Sequence, residues 1–140
     1  IFVPVTGPTF YYKAIGLQNV TAGIFPNVHD YFNHHQECLP SPGYTDGIFY
    51  HLVEDAKAAG ERPTAAFPSS HVGVSTICML LLWHDRNYKL LAILAPFYLL
   101  LCCATVYIQA HYLIDAIAGF ITAVILFAIL LRISRKMIRE

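Results

Sequence analysis

Three long stretches of the chain contain no Asp, Glu, Lys or Arg, and they constrain the fold more than any other feature. They cover residues 63–84, 90–114 and 116–131. A helix needs roughly 20 apolar residues to cross the hydrocarbon core of a bilayer. The third stretch reaches that length only when residues 113–115 are included, which places Asp115 at its entrance. The pattern predicts an all-α integral membrane protein, a helical bundle with about three transmembrane helices.

The composition agrees with a chain that lies largely in lipid. Hydrophobic residues make up 56% of the sequence and charged residues only 13%, whereas an average soluble domain is about 25% charged. The formal net charge is zero, so the excess of basic residues typical of a nucleic-acid partner is absent. We therefore expect the bilayer to be the main partner of the chain and expect no nucleic-acid partner.

The charged residues are distributed unevenly, and this predicts the orientation. Most of the basic residues lie in the turn between the first two stretches and in the tail: Arg86, Lys89, Arg132, Arg135, Lys136 and Arg139. Cytoplasmic segments carry such an excess of Lys and Arg. The C-terminus is then cytoplasmic, and residues 1–65 lie on the other side of a bacterial inner or plasma membrane, or of an endomembrane.

The residues before the first stretch differ in character. Residues 1–47 are rich in Gly, Pro, Asn and aromatic residues and predict an irregular outer loop region near the membrane interface. Residues 48–59 predict an amphipathic connector helix that ends at Gly60. We divide the chain into this loop and connector, residues 1–65, and a three-helix transmembrane catalytic core with a basic tail, residues 66–140. The apolar face of the connector holds Phe49, Leu52, Val53 and Ala56.

The first five residues are apolar and do not begin with Met. They are typical of the end of an earlier crossing. We expect the chain to be the C-terminal portion of a longer membrane protein, whose preceding transmembrane helices would be its partners.

Three ionisable residues stand at the predicted outer ends of the crossings, where such groups are costly and usually functional. They are His71, His111 and Asp115. His111 and Asp115 are four residues apart, which on a helix places them on one face. A carboxylate that accepts from one imidazole nitrogen leaves the other more nucleophilic. A solvated pair at a helix start is the alternative interpretation.

Residues that suit an anion precede His71. Ser69 and Ser70 lie at a predicted helix start, where amide groups and hydroxyls form an anion site. Arg62 suits bidentate contact with phosphate, and Lys57 adds a second cation. Taken singly, Ser69 is explained as an N-cap and the two cations as solvated interface charges.

Together these residues are the components of phosphoryl transfer through a phosphohistidine. One His attacks phosphorus, the other protonates the leaving oxygen, and the cations and amides hold the phosphoryl oxygens. This chemistry requires no metal and no other cofactor.

At these residues the sequence resembles the type 2 phosphatidic acid phosphatase superfamily. That family has three ordered motifs, Lys-x6-Arg-Pro, Pro-Ser-Gly-His and Ser-Arg-x5-His-x3-Asp. The corresponding segments here are Lys57-x4-Arg62-Pro63, Pro68-Ser69-Ser70-His71 and Ala104-Thr105-x5-His111-x3-Asp115, the last followed by Gly119. The resemblance covers about residues 57–131.

The resemblance implies a six-helix membrane fold, of which this chain would hold the last half. It also implies that His111 is the nucleophile, Asp115 its orienting partner and His71 the general acid and base. The phosphate-binding residues that it implies are Arg62, Ser69 and Ser70, with Lys57 at a shortened spacing.

The third motif departs from the family at Ala104 and Thr105, which replace Ser and Arg. In this the segment is similar to the sphingolipid synthase branch, which includes inositol phosphorylceramide synthases. The expected activity is that of a membrane-integral lipid phosphatase or phosphotransferase on a phosphorylated lipid, with the active site on the non-cytoplasmic face. An inositol phosphorylceramide synthase-like head-group transferase is one alternative, and a non-enzymatic membrane module with a His/Asp polar or metal cluster is the other.

Overall fold

A computed structural model describes residues 5–60, 62–63 and 66–137 of the chain. The described residues form α-helices and one short 3-10 helix, His29–Asn33, and contain no β-strand. The all-α prediction is therefore confirmed. The predicted earlier crossing falls mainly on residues 1–4, outside the described residues. In chain order the helices are α1 (Pro8–Ile15), α2 (Leu17–Thr21), α3 (Ile48–Gly60), α4 (Ser70–His84), α5 (Tyr88–Tyr107) and α6 (Leu113–Met137).

Two of the described helices are long and apolar enough to cross a membrane. They are α5, with 20 residues, and α6, with 25. Because an α-helix rises 1.5 Å per residue, they span about 30 and 37 Å. The remaining large apolar helix, α4, has only 15 residues, about 22 Å. Two of the three predicted crossings, α5 and α6, are thus long enough to span a membrane. The first, α4, is shorter than the charge-free stretch predicts.

The local sequence explains why α4 begins late in that stretch. Proline disfavours helical backbone in the residue before it, and Pro68 precedes the helix by two residues. Ser69 then adopts an extended backbone, with φ −63° and ψ 109°, and caps the helix by accepting a hydrogen bond from the Val72 amide. The helix therefore starts at Ser70, and residues 66–69 remain non-helical.

Helix α4 packs along α6 through small side chains. Val72 and Thr76 are buried on α4, and Ala116 and Ala123 are buried on α6. Helices in lipid associate closely where small residues let the backbones approach. Most large apolar side chains of α5 and α6 are instead exposed, as expected for surfaces that face lipid tails or further helices.

The closest approach between α4 and α6 is at Gly119. The Ser69 amide donates to the Asp115 carbonyl oxygen over 3.0 Å. One turn along α6, a Cβ atom on Gly119 would overlap the Ser69 carbonyl oxygen. A Cβ atom on Gly73, by contrast, would lie at an ordinary 3.5 Å from the Gly119 carbonyl oxygen. The junction of the two helices therefore requires glycine at residue 119 and not at residue 73.

The N-terminal irregular region is shorter than predicted, because residues 8–21 form α1 and α2. Pro8 lies at the start of α1, where its fixed φ suits a helix. Gly16 ends it with φ 80° and donates its amide to the Tyr12 carbonyl, the left-handed termination that glycine favours. Phe10 and Ile15 are buried. Five to eight residues are too few to produce a clear helical periodicity.

The predicted connector helix is confirmed as α3, which includes Gly60 as its last residue. Its most apolar side does not pack within the described chain, since Phe49 is 83% exposed. The half-buried side carries Val53, Glu54 and Lys57.

Contacts group the described chain into two compact units. One contains the residues up to Phe67 together with Tyr107–Tyr112, and the other contains Pro68–Val106 and the residues from Leu113 onward. The α4–α6 pair belongs to the second unit.

Gly119→Ala is expected to destabilise the protein, because the added Cβ overlaps the Ser69 carbonyl and overpacking costs about 1–3 kcal/mol. Gly73→Ala is the matched control. It adds the same atom at an ordinary van der Waals distance and gains about 1 kcal/mol of helix propensity. The measurement is the apparent unfolding temperature of each variant in detergent. Equal shifts for the two variants would contradict the close approach at residue 119.

Candidate active site

His111 is held by a backbone carbonyl. It lies between α5 and α6, is only 7% exposed, and its Nδ1 atom is 2.8 Å from the Ala66 carbonyl oxygen. A carbonyl oxygen only accepts hydrogen bonds, so Nδ1 carries the hydrogen in this contact. In the neutral ring the lone pair is then on Nε2. The local geometry fixes the tautomer that a nucleophilic histidine needs.

The Ala66 carbonyl is positioned by a short backbone pairing in the same unit. The Ala66 amide donates to the Val5 carbonyl over 3.2 Å, and the Gly7 amide donates to the Pro63 carbonyl over 3.2 Å. A Cβ atom on Gly7 would lie 3.2 Å from the Ala110 carbonyl oxygen, tighter than most contacts. The N-terminal segment thus packs against the residue that precedes His111.

Helix α6 begins at Leu113, so His111 precedes the helix that carries Asp115. The pairing of the two side chains stays a prediction. The left-handed backbone of Gln109, with φ 60°, lies in the turn that separates α5 from α6. Asp115 is the third residue of α6 and is fully buried. A carboxylate in the first turn is favoured by the positive end of the helix dipole.

The start of α4 presents the serines and the second histidine. Ser69 is buried, and its Oγ accepts from the Val72 amide while its carbonyl accepts from the Gly73 amide. Ser70 and His71, the first two residues of the helix, are exposed. An α-helix provides no carbonyl partners for the amides of its first residues. This end of α4 therefore has amides that could donate to an anion, and phosphate binding there stays a prediction.

The two predicted cations have different surroundings. The Lys57 Nζ lies 3.2 Å from Glu54 Oε1 and 3.3 Å from the Leu39 carbonyl oxygen, and its side chain is only 7% exposed. Lys57 thus fastens the segment around Leu39 to α3. Arg62 is exposed and directly precedes the anchored Pro63, so its side chain is open to a ligand. Phosphate binding by Lys57 stays a prediction.

Glu54 is the other partner in this attachment. Its Oε1 accepts from the Ser41 amide over 3.0 Å. Partial burial raises the pKa of Glu54, but hydrogen bonds from Ser41 and Lys57, and the Lys57 charge, together lower that pKa below its ordinary value. Glu54 therefore stabilises the folded unit in its charged form.

The predicted site residues divide between the two units. The second unit brings the α4 start and the α6 start together through the hydrogen bond between the Ser69 amide and the Asp115 carbonyl. Its members are Ser69, Ser70, His71 and Asp115. The first unit contains Lys57, Arg62 and His111.

Two participants were not predicted. The Ala66 carbonyl gives no signal in the sequence, because every residue has one. The role of Gly119 is signalled only by its place one turn after Asp115.

Thr105 stands where the third motif of the family has arginine, and its side chain has no charge. Thr105 is buried near the end of α5 and donates its hydroxyl to the Cys102 carbonyl over 2.9 Å. It supplies no charge where the motif has arginine.

The comparison with known families agrees with this arrangement. The sequence model of a family described as the PAP2 superfamily matches residues 1–129. The chain belongs to the PAP2 superfamily. No curated protein and no solved structure matches it.

Membership in the PAP2 superfamily, the type 2 phosphatidic acid phosphatases, confirms the resemblance drawn from the motifs. It supports phosphatase or phosphotransferase chemistry in general, and with the apolar helices it is consistent with a membrane location.

The Glu54 attachment predicts an acid-sensitive contribution to stability. Because the folded pKa lies below the ordinary value of 4.5, the contribution is complete above that value and is lost as the pH falls through the folded pKa. Glu54→Gln should therefore lower the unfolding temperature at neutral pH, and its difference from wild type should shrink on acidification. Asp55→Asn, which removes an exposed carboxylate of the same helix, is the control and should have a smaller effect. A Glu54→Gln difference that is constant with pH would contradict the assignment.

Proposed function

We propose that this PAP2 chain carries the catalytic residues of a membrane lipid phosphatase or phosphotransferase that acts through a phosphohistidine. The observation that carries the proposal is the contact between His111 Nδ1 and the Ala66 carbonyl. It leaves the Nε2 lone pair as the nucleophile. Family membership supports the reaction class.

In the first half-reaction, His111 Nε2 attacks phosphorus and a phosphorus–nitrogen bond forms. The bond between phosphorus and the lipid oxygen breaks, and the electron pair leaves on that oxygen. His71, exposed at the start of α4, donates its proton to the leaving oxygen. Asp115 supplies the negative charge that orients and stabilises the histidine that becomes cationic.

The phosphoryl oxygens need donors throughout the reaction. Arg62 provides a guanidinium that fits two oxygens at once. The amides at the start of α4 and the hydroxyl of Ser70 provide neutral donors, while Ser69 Oγ is occupied in capping. We assign Lys57 to holding the loop, with its charge as a secondary contribution to phosphate binding.

In the second half-reaction, water or an alcohol attacks the phosphohistidine. His71 accepts the proton of the attacking oxygen, the phosphorus–nitrogen bond breaks, and His111 regains its lone pair. Water yields free phosphate, whereas an alcohol yields a new phosphate ester. Both outcomes use the same residues.

A phosphorylated lipid suits the surroundings of Asp115. Leu113 and Ile114 precede it at the start of α6, and both are largely exposed. Exposed apolar side chains beside polar groups are favourable where a lipid tail joins its head group. We infer that this end of α6 faces the non-cytoplasmic leaflet.

The neutral Thr105 favours head-group transfer as a second candidate. A phosphomonoester carries about two negative charges near neutral pH, whereas a phosphodiester carries one, so a site with one arginine fewer suits a phosphodiester. Labelled phospholipid, supplied with and without inositol and ceramide and analysed by thin-layer chromatography, distinguishes the two. If the label appears only in free phosphate, head-group transfer is excluded. If the label appears in a new lipid, head-group transfer becomes the main reaction and hydrolysis the secondary one.

His111→Ala is expected to abolish turnover and any acid-labile phosphoenzyme, because the nucleophile is lost. His51→Ala is the control, since His51 is exposed on α3 and should leave both unchanged. Turnover and label retained on the protein are measured with a labelled lipid phosphate. A His111→Ala variant with wild-type activity would contradict the proposal.

His71→Ala is expected to slow hydrolysis of an alkyl phosphate by about 100-fold or more, because the alkoxide leaves unprotonated. The hydrolysis rate of p-nitrophenyl phosphate should fall much less, because p-nitrophenolate is a stable anion that leaves without a proton donor. The ratio of the two rates is the measurement. Equal losses for both substrates would contradict the assignment of His71 as the general acid.

A further inference from the structure

A cavity lies at the C-terminal end of α4, which is the end opposite to His71. The proposed reaction does not use this cavity. The cavity has a volume of about 390 Å³. Because α4 has 15 residues, the cavity lies about 20 Å along the helix from the serines. Its lining residues are Leu80, Trp83, His84, Arg86, Tyr88 and Phe127.

Aromatic rings form much of the wall. Trp83 is 64% exposed and Tyr88 is 55% exposed. Phe127 of α6 meets the His84 ring edge to face, with the ring centres 6.2 Å apart. Trp and Tyr are enriched where the hydrocarbon core meets the head groups, so this wall suits the boundary between a lipid tail and its head group.

Arg86 supplies the charge. It lies in the turn between α4 and α5 with φ 56°, and its amide donates to the Trp83 carbonyl over 3.1 Å. Within the described ranges, no carboxylate lies at ion-pair distance from its guanidinium, although Asp85 is its neighbour in sequence. An arginine without an ion pair in a cavity is suited to hold a phosphate through paired N–H donors.

The adjoining backbone agrees with this polarity. Asn87 Oδ1 caps α5 by accepting from the Leu90 amide over 3.3 Å. The N-terminus of α5, with Lys89 in its first turn, therefore opens at the same turn as Arg86. The positive end of a helix and two cations favour an anion here.

We propose that this cavity binds the head-group phosphate of an anionic phospholipid, with Arg86 on the phosphate and Trp83 and Tyr88 beside the glycerol and the first tail carbons. Basic pockets between transmembrane helices bind anionic head groups in this way. The charge bias of the sequence assigns this end to the cytoplasmic leaflet. The site is separate from the proposed active site and does not depend on the proposed reaction.

The test measures phospholipid bound to the chain by native mass spectrometry, after reconstitution in nanodiscs of phosphatidylcholine with phosphatidylglycerol. Arg86→Asn removes the charge and retains a residue that tolerates positive φ. It should weaken phosphatidylglycerol binding about tenfold, the loss of a charge-assisted hydrogen bond. Arg135→Gln, which removes one charge from the last turn of α6, is the matched control and should retain binding.

The proposal is overturned if both variants lose phosphatidylglycerol equally, since the attraction would then belong to the general charge of this face. It is also overturned if neither variant loses it, or if phosphatidylcholine is retained equally well. A further arm adds inorganic phosphate to wild-type protein in detergent. Displacement of the lipid by millimolar phosphate would identify a free-phosphate site and overturn the lipid assignment. Retention of the lipid supports it.

Discussion

The contact between the Ser69 backbone and the first two turns of α6 determines the arrangement of the second unit. The Ser69 amide bonds to the Asp115 carbonyl, and the Ser69 carbonyl lies against Gly119. These two contacts fix how far α4 is shifted along α6. The same shift sets which part of α6 lies beside each end of α4, with Ser70 and His71 at one end and Trp83 and His84 at the other. A side chain at residue 119 would alter both ends together.

The shortness of α4 follows from this contact and has a functional consequence. A helix that began at Pro63 would cross the bilayer more fully, but its own hydrogen bonds would occupy the carbonyls of the residues that precede Ser70. Pro68 and the capping by Ser69 make the helix start late, and they leave the carbonyls of Pro63 and Ala66 for other partners. The Pro63 and Ala66 carbonyls accept from Gly7 and His111 in the first unit. Helix α4 is therefore shorter than the charge-free stretch, and the non-helical Ala66 carbonyl is available to orient His111.

Long-range charge patterning predicted more of the structure than local motifs did. The absence of charge over residues 90–114 and 116–131 predicted α5 and α6, because burial of charge in lipid is costly whatever the details of packing. The same pattern overestimated α4, since it registers hydropathy and not the start of a helix. The short helices α1 and α2 depend on Pro8, Gly16 and the burial of Phe10, which periodicity over a few residues does not reveal. The spacing of His111 and Asp115 does not reveal that α6 begins only at Leu113, after a turn in which Gln109 has a left-handed backbone.

The acceptor at His111 is a feature of the candidate site that residue types alone do not predict. Residue types indicated a histidine nucleophile with a carboxylate four residues later, and a carboxylate would both orient the ring and make Nε2 more basic. A carbonyl fixes the same tautomer with a dipole and no net charge. An acceptor from the backbone is insensitive to substitution of its own side chain, so mutation of side chains alone would not reveal it. Its effect would appear when the hydrogen bonds of Gly7 with Pro63 and of Ala66 with Val5 are disturbed.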